Sequence, residues 1–161
     1  MLEQFYARHQ SVGWPAIWAL EKSFLVTLGD IRIKGKIDRI DLMKEEKGRM
    51  KDEAEVKKVV ILDYKTGKSP KTDEDVDRDQ LLLYQIAVST LMRVHPIQLS
   101  YYFLEDQKQV SFIGTPKELN VLQGKITQTV QQIRSGAFEA RPSKNKCTFC
   151  DFKEICEYRV L

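Results

Sequence analysis

Apolar positions along the chain change period several times, and each change marks an element. Leu2, Phe5 and Tyr6 give the segment Leu2 to Gln10 a helical spacing, which the Gly13-Trp14-Pro15 break ends. From Ala19 to Ile40 the pattern is extended. Phe24, Val26 and Leu28 alternate with Leu25, Thr27 and Gly29, and Ile31, Ile33, Gly35 and Ile37 alternate with Arg32, Lys34, Lys36 and Asp38. With Gly29-Asp30 between them, the two runs predict an antiparallel hairpin. Val59-Val60-Ile61-Leu62 is a continuous apolar run that suits a buried central strand, ended by Asp63-Tyr64-Lys65-Thr66-Gly67. The polar stretch Lys68 to Asp79 reads as a loop, with Asp77 or Asp79 placed to cap the next helix. Leu82, Leu83, Ile86, Ala87, Leu91 and Met92 recur at three- and four-residue spacing and predict that helix from Gln80 to Val94, ended near His95-Pro96. Gln98 to Leu104 and Gln109 to Ile113 predict a second strand pair. Leu119, Leu122, Ile126, Val130 and Ile133 predict an amphipathic helix from Pro116 to Ser135, opened by Thr115-Pro116 and stopped by Gly136. The order predicts an α/β fold with a mixed sheet flanked by helices.

Composition narrows the class. The chain has 161 residues, 42% hydrophobic and 30% charged, with a mean hydropathy of −0.39. That is a globular composition and predicts a single domain over 1–161. No apolar run reaches the ~18 residues of a membrane span, and the start carries no signal-peptide pattern. The expected setting is cytosolic. Net charge is +3, from 26 basic and 23 acidic residues. So small a surplus permits a nucleic-acid partner without arguing for one. Lys44 to Lys58 mixes both signs with almost no large apolar residue and reads as a solvated loop. Cys147, Cys150 and Cys156 cluster near the C-terminus. An odd, clustered set reads as metal or cluster ligation before disulfides.

The chemistry concentrates at strand ends. Side chains alternate along a strand, so Asp63 and Lys65 share a face and Tyr64 points away. A carboxylate and an ammonium on a buried strand are costly to place. If the hairpin strand lies beside the central one, Asp38 joins them. Two carboxylates then suit a hard cation such as Mg²⁺, which keeps several waters and takes few protein ligands. An isolated D-x-K tripeptide is more often a salt bridge at a sheet end. The company it keeps here decides otherwise.

Gly35-Lys36-Ile37-Asp38-Arg39-Ile40-Asp41, then Ile61-Leu62-Asp63-Tyr64-Lys65-Thr66-Gly67, then Gln80-Leu81-Leu82-Leu83-Tyr84 resemble three successive motifs of RecB-type nucleases. These form a branch of the PD-(D/E)xK superfamily with the RecB and AddB helicase–nucleases and the CRISPR-adaptation exonucleases. Cys147-x-x-Cys150-x5-Cys156 resembles the C-terminal part of that branch's iron–sulfur motif. The resemblance runs from about Glu21 to Cys156 and implies a restriction-endonuclease-like core. It implies Asp38 and Asp63 as acids holding Mg²⁺ or Mn²⁺, with the Tyr64 carbonyl as a further ligand, and Lys65 as the catalytic lysine. Gln80 and Tyr84, which share a helix face, would contact the DNA backbone or support the metal ligands; Asp41 is expected to be structural or to support those ligands. A [4Fe–4S] cluster would pin the C-terminal tail, with zinc as the alternative occupant. The implied activity is exonuclease-type hydrolysis of DNA in recombination, repair or foreign-DNA processing, alongside a helicase domain or partner subunit. A catalytically inactive DNA-binding module on the same fold is the alternative.

The chain departs from that pattern twice. No cysteine precedes Cys147, so the fourth thiolate of such a cluster is missing. The only histidine ahead of the first acidic motif is His9, in a setting unlike the usual metal-ligating one. Both point to a fragment lacking an N-terminal segment.

Overall fold

The computed structural model describes residues 2–43 and 56–160. They run α1 (Leu2–Val12), β1 (Ala16–Leu28), β2 (Ile31–Leu42), β3 (Lys57–Lys65), α2 (Asp79–Leu91), β4 (Val94–Phe103), β5 (Lys108–Phe112), α3 (Pro116–Arg134) and α4 (Lys144–Thr148). The chain divides into two compact units, Met1–Lys125 and Ile126–Leu161. The first contains the whole sheet with α1 and α2. The second carries the end of α3, α4 and the three cysteines.

One mixed sheet of five strands has the order β1-β2-β3-β4-β5. β1/β2, β2/β3 and β4/β5 pair antiparallel, and β3/β4 pair parallel through the α2 crossover. The hairpin strand β2 therefore lies beside the central strand, the condition for Asp38 to join Asp63. The β1–β2 hairpin closes with Leu28 opposite Ile31 and Gly29 at φ +62°, a conformation that carries no Cβ penalty only in glycine. Gly35 is needed for space: a Cβ there would meet the Phe24 ring at 2.4 Å, and Phe24 in turn packs edge-on against Tyr84 of α2.

The core sits between the sheet and α2. Ile37, Ile40, Ile61, Leu81, Leu99, Val26, Val59 and Val88 are fully buried, each burial contributing roughly 1.5–3 kcal/mol. α2 is apolar on nearly every side because it also meets the β5–α3 connection, where Gln85 and Gly114 exchange hydrogen bonds of 3.1 and 2.9 Å. α3 opens with a capping box. The Thr115 hydroxyl accepts from the Glu118 N–H, and Glu118 accepts the Thr115 N–H in return at 2.8 Å. Gly136 (φ +72°) ends it as the sequence suggests.

Several boundaries differ from expectation. α2 ends at Leu91, and His95-Pro96, expected to terminate the helix, lies inside β4. A central-strand proline is tolerated here because β5 pairs only with Leu99 to Phe103 and the β3–β4 register shifts beside Pro96. Lys57 and Lys58 open β3 and do not belong to the preceding loop; residues 44–55 of that expected loop lie outside the described residues. Asp79 begins α2 without capping it, while Asp77 accepts the Asp79 N–H at 3.0 Å.

Candidate active site

β3 separates two polar clusters. Val59, Ile61, Asp63 and Lys65 point towards α2, and Val60, Leu62 and Tyr64 point to the opposite side. On the α2 side, Asp63 is 3% exposed and sits in register with Tyr101 of β4. Lys65 reaches back along the strand. Its Nζ lies 2.8 Å from Asp63 Oδ2, donates to Gln80 Oε1 at 2.7 Å, and stands 4.9 Å from the centre of the Tyr101 ring. Gln80 is the hub. Its Nε2 donates to Asp63 Oδ1 at 2.9 Å and to the Tyr84 hydroxyl at 2.8 Å. Tyr84 donates to the Lys36 carbonyl at 2.9 Å, so the first two turns of α2 are tied to β2 and β3 together. Asp38 accepts the Tyr64 N–H at 3.0 Å, which places its carboxylate against the backbone just after Asp63.

The electrostatics leave this cluster unbalanced. Burial pushes the Asp63 carboxyl above its ordinary value; Lys65 opposes the shift and the negative charge of Asp38 reinforces it. Burial likewise raises the Tyr84 and Tyr101 phenols, so both stay protonated at neutral pH. Asp63 Oδ2 is buried and its partner is the Lys65 ammonium, 2.8 Å away. A buried carboxylate with a second carboxylate beside it and one ammonium facing it is the oxygen-donor chemistry that a hard divalent cation takes up. Two neighbouring carboxylates, Asp38 and Asp63, are donor groups that fit a cation such as Mg²⁺ or Mn²⁺.

The structure thus brings Asp38, Asp63, Lys65, Gln80 and Tyr84 together and leaves the other candidates apart. His9 lies on the far side of the sheet. It stacks on Trp14 at 4.7 Å and meets Phe5 edge-on, so the early histidine is not among the groups around Asp63. Arg39 and Asp41 also turn to that far side, where Arg39 Nε donates to Asp41 at 2.7 Å and Nη1 to the Tyr64 hydroxyl at 2.8 Å. This pair is buried and ties together the residues next to Asp38 and Asp63. Cys147, Cys150 and Cys156 are free thiols in the second unit, the first two half-buried and the last exposed. Among the described residues, no three His, Cys, Asp or Glu are gathered to hold a metal. Sequence reasoning missed Tyr101 under Lys65, since only the parallel β3/β4 register reveals it. It also missed the strap from Arg39 to Tyr64, whose signal was the alternation of Arg39 and Asp41 behind Asp38.

A sequence profile described as PD-(D/E)XK nuclease superfamily matches residues 1–157.

The chain belongs to the PD-(D/E)XK nuclease superfamily.

Among its relatives, the Gene 69 protein of Mycobacterium phage L5 is 30% identical over 144 residues, covering 86% of this chain and 44% of that protein. The Gene 69 protein of Mycobacterium phage D29 is 27% identical over 168 residues, covering 96% and 56%. The chain therefore spans about half the length of these relatives. Among solved structures, SSO0001 superposes with a TM-score of 0.53 at 19% identity, over 99% of this chain and 70% of that one. A Eubacterium rectale protein described as "Putative exonuclease" gives 0.52 at 15% identity, over 99% and 60%. The mixed sheet with its α2 crossover is the restriction-endonuclease-like fold of this superfamily.

Proposed function

We propose that this chain carries the nuclease centre of a divalent-metal-dependent DNA hydrolase of exonuclease type. The observation that carries the reading is the buried Asp63 carboxylate, beside the negative charge of Asp38 and ion-paired to Lys65 Nζ at 2.8 Å. Asp38, Asp63 and the Tyr64 carbonyl would hold Mg²⁺ or Mn²⁺, which supplies Lewis acidity towards a phosphoryl oxygen and a more acidic water. Lys65 hydrogen-bonds a non-bridging oxygen of the scissile phosphate and offsets its growing negative charge. Gln80 keeps Lys65 and Asp63 at fixed separation by bonding both, and Tyr84 fixes Gln80 from the next helical turn. α2 thereby positions side chains that β3 supplies.

The test is degradation of end-labelled single- and double-stranded DNA. Cleavage is expected with Mg²⁺ or Mn²⁺ and is expected to stop in chelator; cleavage that continues in chelator overturns the reading. A second reading, a DNA-binding module without catalysis, draws on the chain spanning about half of its phage relatives. It expects salt-sensitive, metal-independent binding with no cleavage in either cation. A [4Fe–4S] group at Cys147, Cys150 and Cys156 rests on the resemblance to that branch's iron–sulfur motif and requires a fourth thiolate. Association with a helicase rests on the RecB resemblance, as do roles in recombination, repair or foreign-DNA processing.

A further inference from the structure

Behind Asp63, on the opposite face of β3, α1 and the sheet flank an open cleft of about 450 Å³. That is within the ~300–1,000 Å³ range of small-molecule sites. Its walls are aromatic: Phe5 lies edge-on to Tyr102 at 5.4 Å and to Tyr64 at 5.7 Å, and Trp14 stacks on His9. Its lining includes Arg39 and Asp41, whose side chains are 5% and 10% exposed. Arg39 uses Nε on Asp41 and Nη1 on Tyr64, and a guanidinium has further donors. The Asp41 carboxylate likewise has accepting capacity beyond its bond from Arg39. His9, also in the lining, keeps Nδ1 buried with no hydrogen-bond partner among the described residues. A buried ring nitrogen without a partner, as in His9, is costly unless something meets it.

We propose that this cleft binds a guanine base, stacked on its aromatic walls and read by the Arg39–Asp41 pair. Arg39 and Asp41 present a donor beside an acceptor. The guanine edge presents the complement, the O6 acceptor next to N–H donors, whereas adenine places an amino donor where guanine has O6. Stacking on Trp14 and Tyr102 supplies affinity that any base could use, and the pair supplies the choice. The guanine comes either from a free nucleotide or from the end of a DNA strand. Only the second source rests on the nuclease reading.

The test is fluorescence titration in chelator, where no metal-dependent cleavage occurs, so failure of the nuclease reading leaves this experiment untouched. The chain has two tryptophans, and Trp18→Phe leaves Trp14 as the sole reporter. GMP is expected to quench it saturably, with AMP roughly tenfold weaker, a difference of about 1.4 kcal/mol. Phe5→Leu is expected to weaken GMP several-fold in a folded protein. Asp41→Asn, where circular dichroism shows it folded, is expected to abolish the preference over AMP. Tighter binding of oligothymidylate ending in deoxyguanosine than of GMP assigns the strand end as the source, and the reverse order assigns the free nucleotide. No saturable quenching by millimolar GMP, or equal affinity for GMP and AMP, overturns the proposal.

Discussion

The two faces of β3 make opposite use of charge. Towards α2, Lys65 is ion-paired with Asp63, and the carboxylate of Asp38 adds a second negative charge beside it. Behind the strand, Arg39 meets Asp41 one to one and spends another donor on Tyr64. The faces differ in what they lack. An unbalanced cluster destabilises the metal-free fold and asks for a cation, whereas a balanced pair holds β2 to β3 and sets the spacing of the two acids. In the proposed reading, adjacent residues in the sequence, Asp38 with Arg39 and Asp63 with Tyr64, thus serve chemistry and scaffold respectively.

The contrast can be broken from either side. The largest effect is expected in front. Lys65→Ala or Asp63→Ala should lower cleavage by roughly 100- to 1000-fold, measured on labelled DNA, with an unchanged circular dichroism spectrum. Behind the strand the loss should fall on stability. Asp41→Ala strands a buried guanidinium and is expected to cost about 3–5 kcal/mol in urea unfolding. Tyr64→Phe removes one bond of the strap and is expected to cost about 1 kcal/mol, with a weaker apparent affinity for Mn²⁺. Asp63→Asn should do the reverse. By removing a buried like charge it should raise the thermal midpoint of the metal-free protein while abolishing cleavage. If it lowers the midpoint, the front face is not electrostatically strained.

How far the sequence reached obeys the same division. Alternation along Val59 to Lys65 and along the hairpin placed Asp63 and Lys65 on one face. Helical spacing joined Gln80 to Tyr84, because both depend only on local period. Pro96 misled because proline marks helix ends, and only the length of β5 and a register shift tell that β4 can hold it. His9 was uninformative for a similar reason: which side of the sheet α1 covers is a tertiary fact. Tyr101 came under Lys65 through the parallel register, which no local pattern encodes. For the cysteines, spacing suggested ligation, but a ligand set is a property of three-dimensional convergence.

A smaller effect away from both faces sharpens the contrast as a control. Hydrogen bonds from Thr115, the backbone N–H foremost, hold the Glu118 carboxyl below its ordinary value of 4.5. A lowered folded value means the capping box contributes its stability above that ordinary value and loses it as pH falls through the folded one. Glu118→Gln should flatten this part of the acid limb in urea midpoints taken from neutral to acid pH, with cleavage at neutral pH unchanged.

The most direct measurement sets native protein beside Lys65→Ala on end-labelled DNA in Mg²⁺ or Mn²⁺, with Mn²⁺ binding followed by calorimetry. The account expects cleavage by the native chain, its loss in the variant, and Mn²⁺ binding retained through Asp38 and Asp63. Cleavage by Lys65→Ala at the native rate would contradict it.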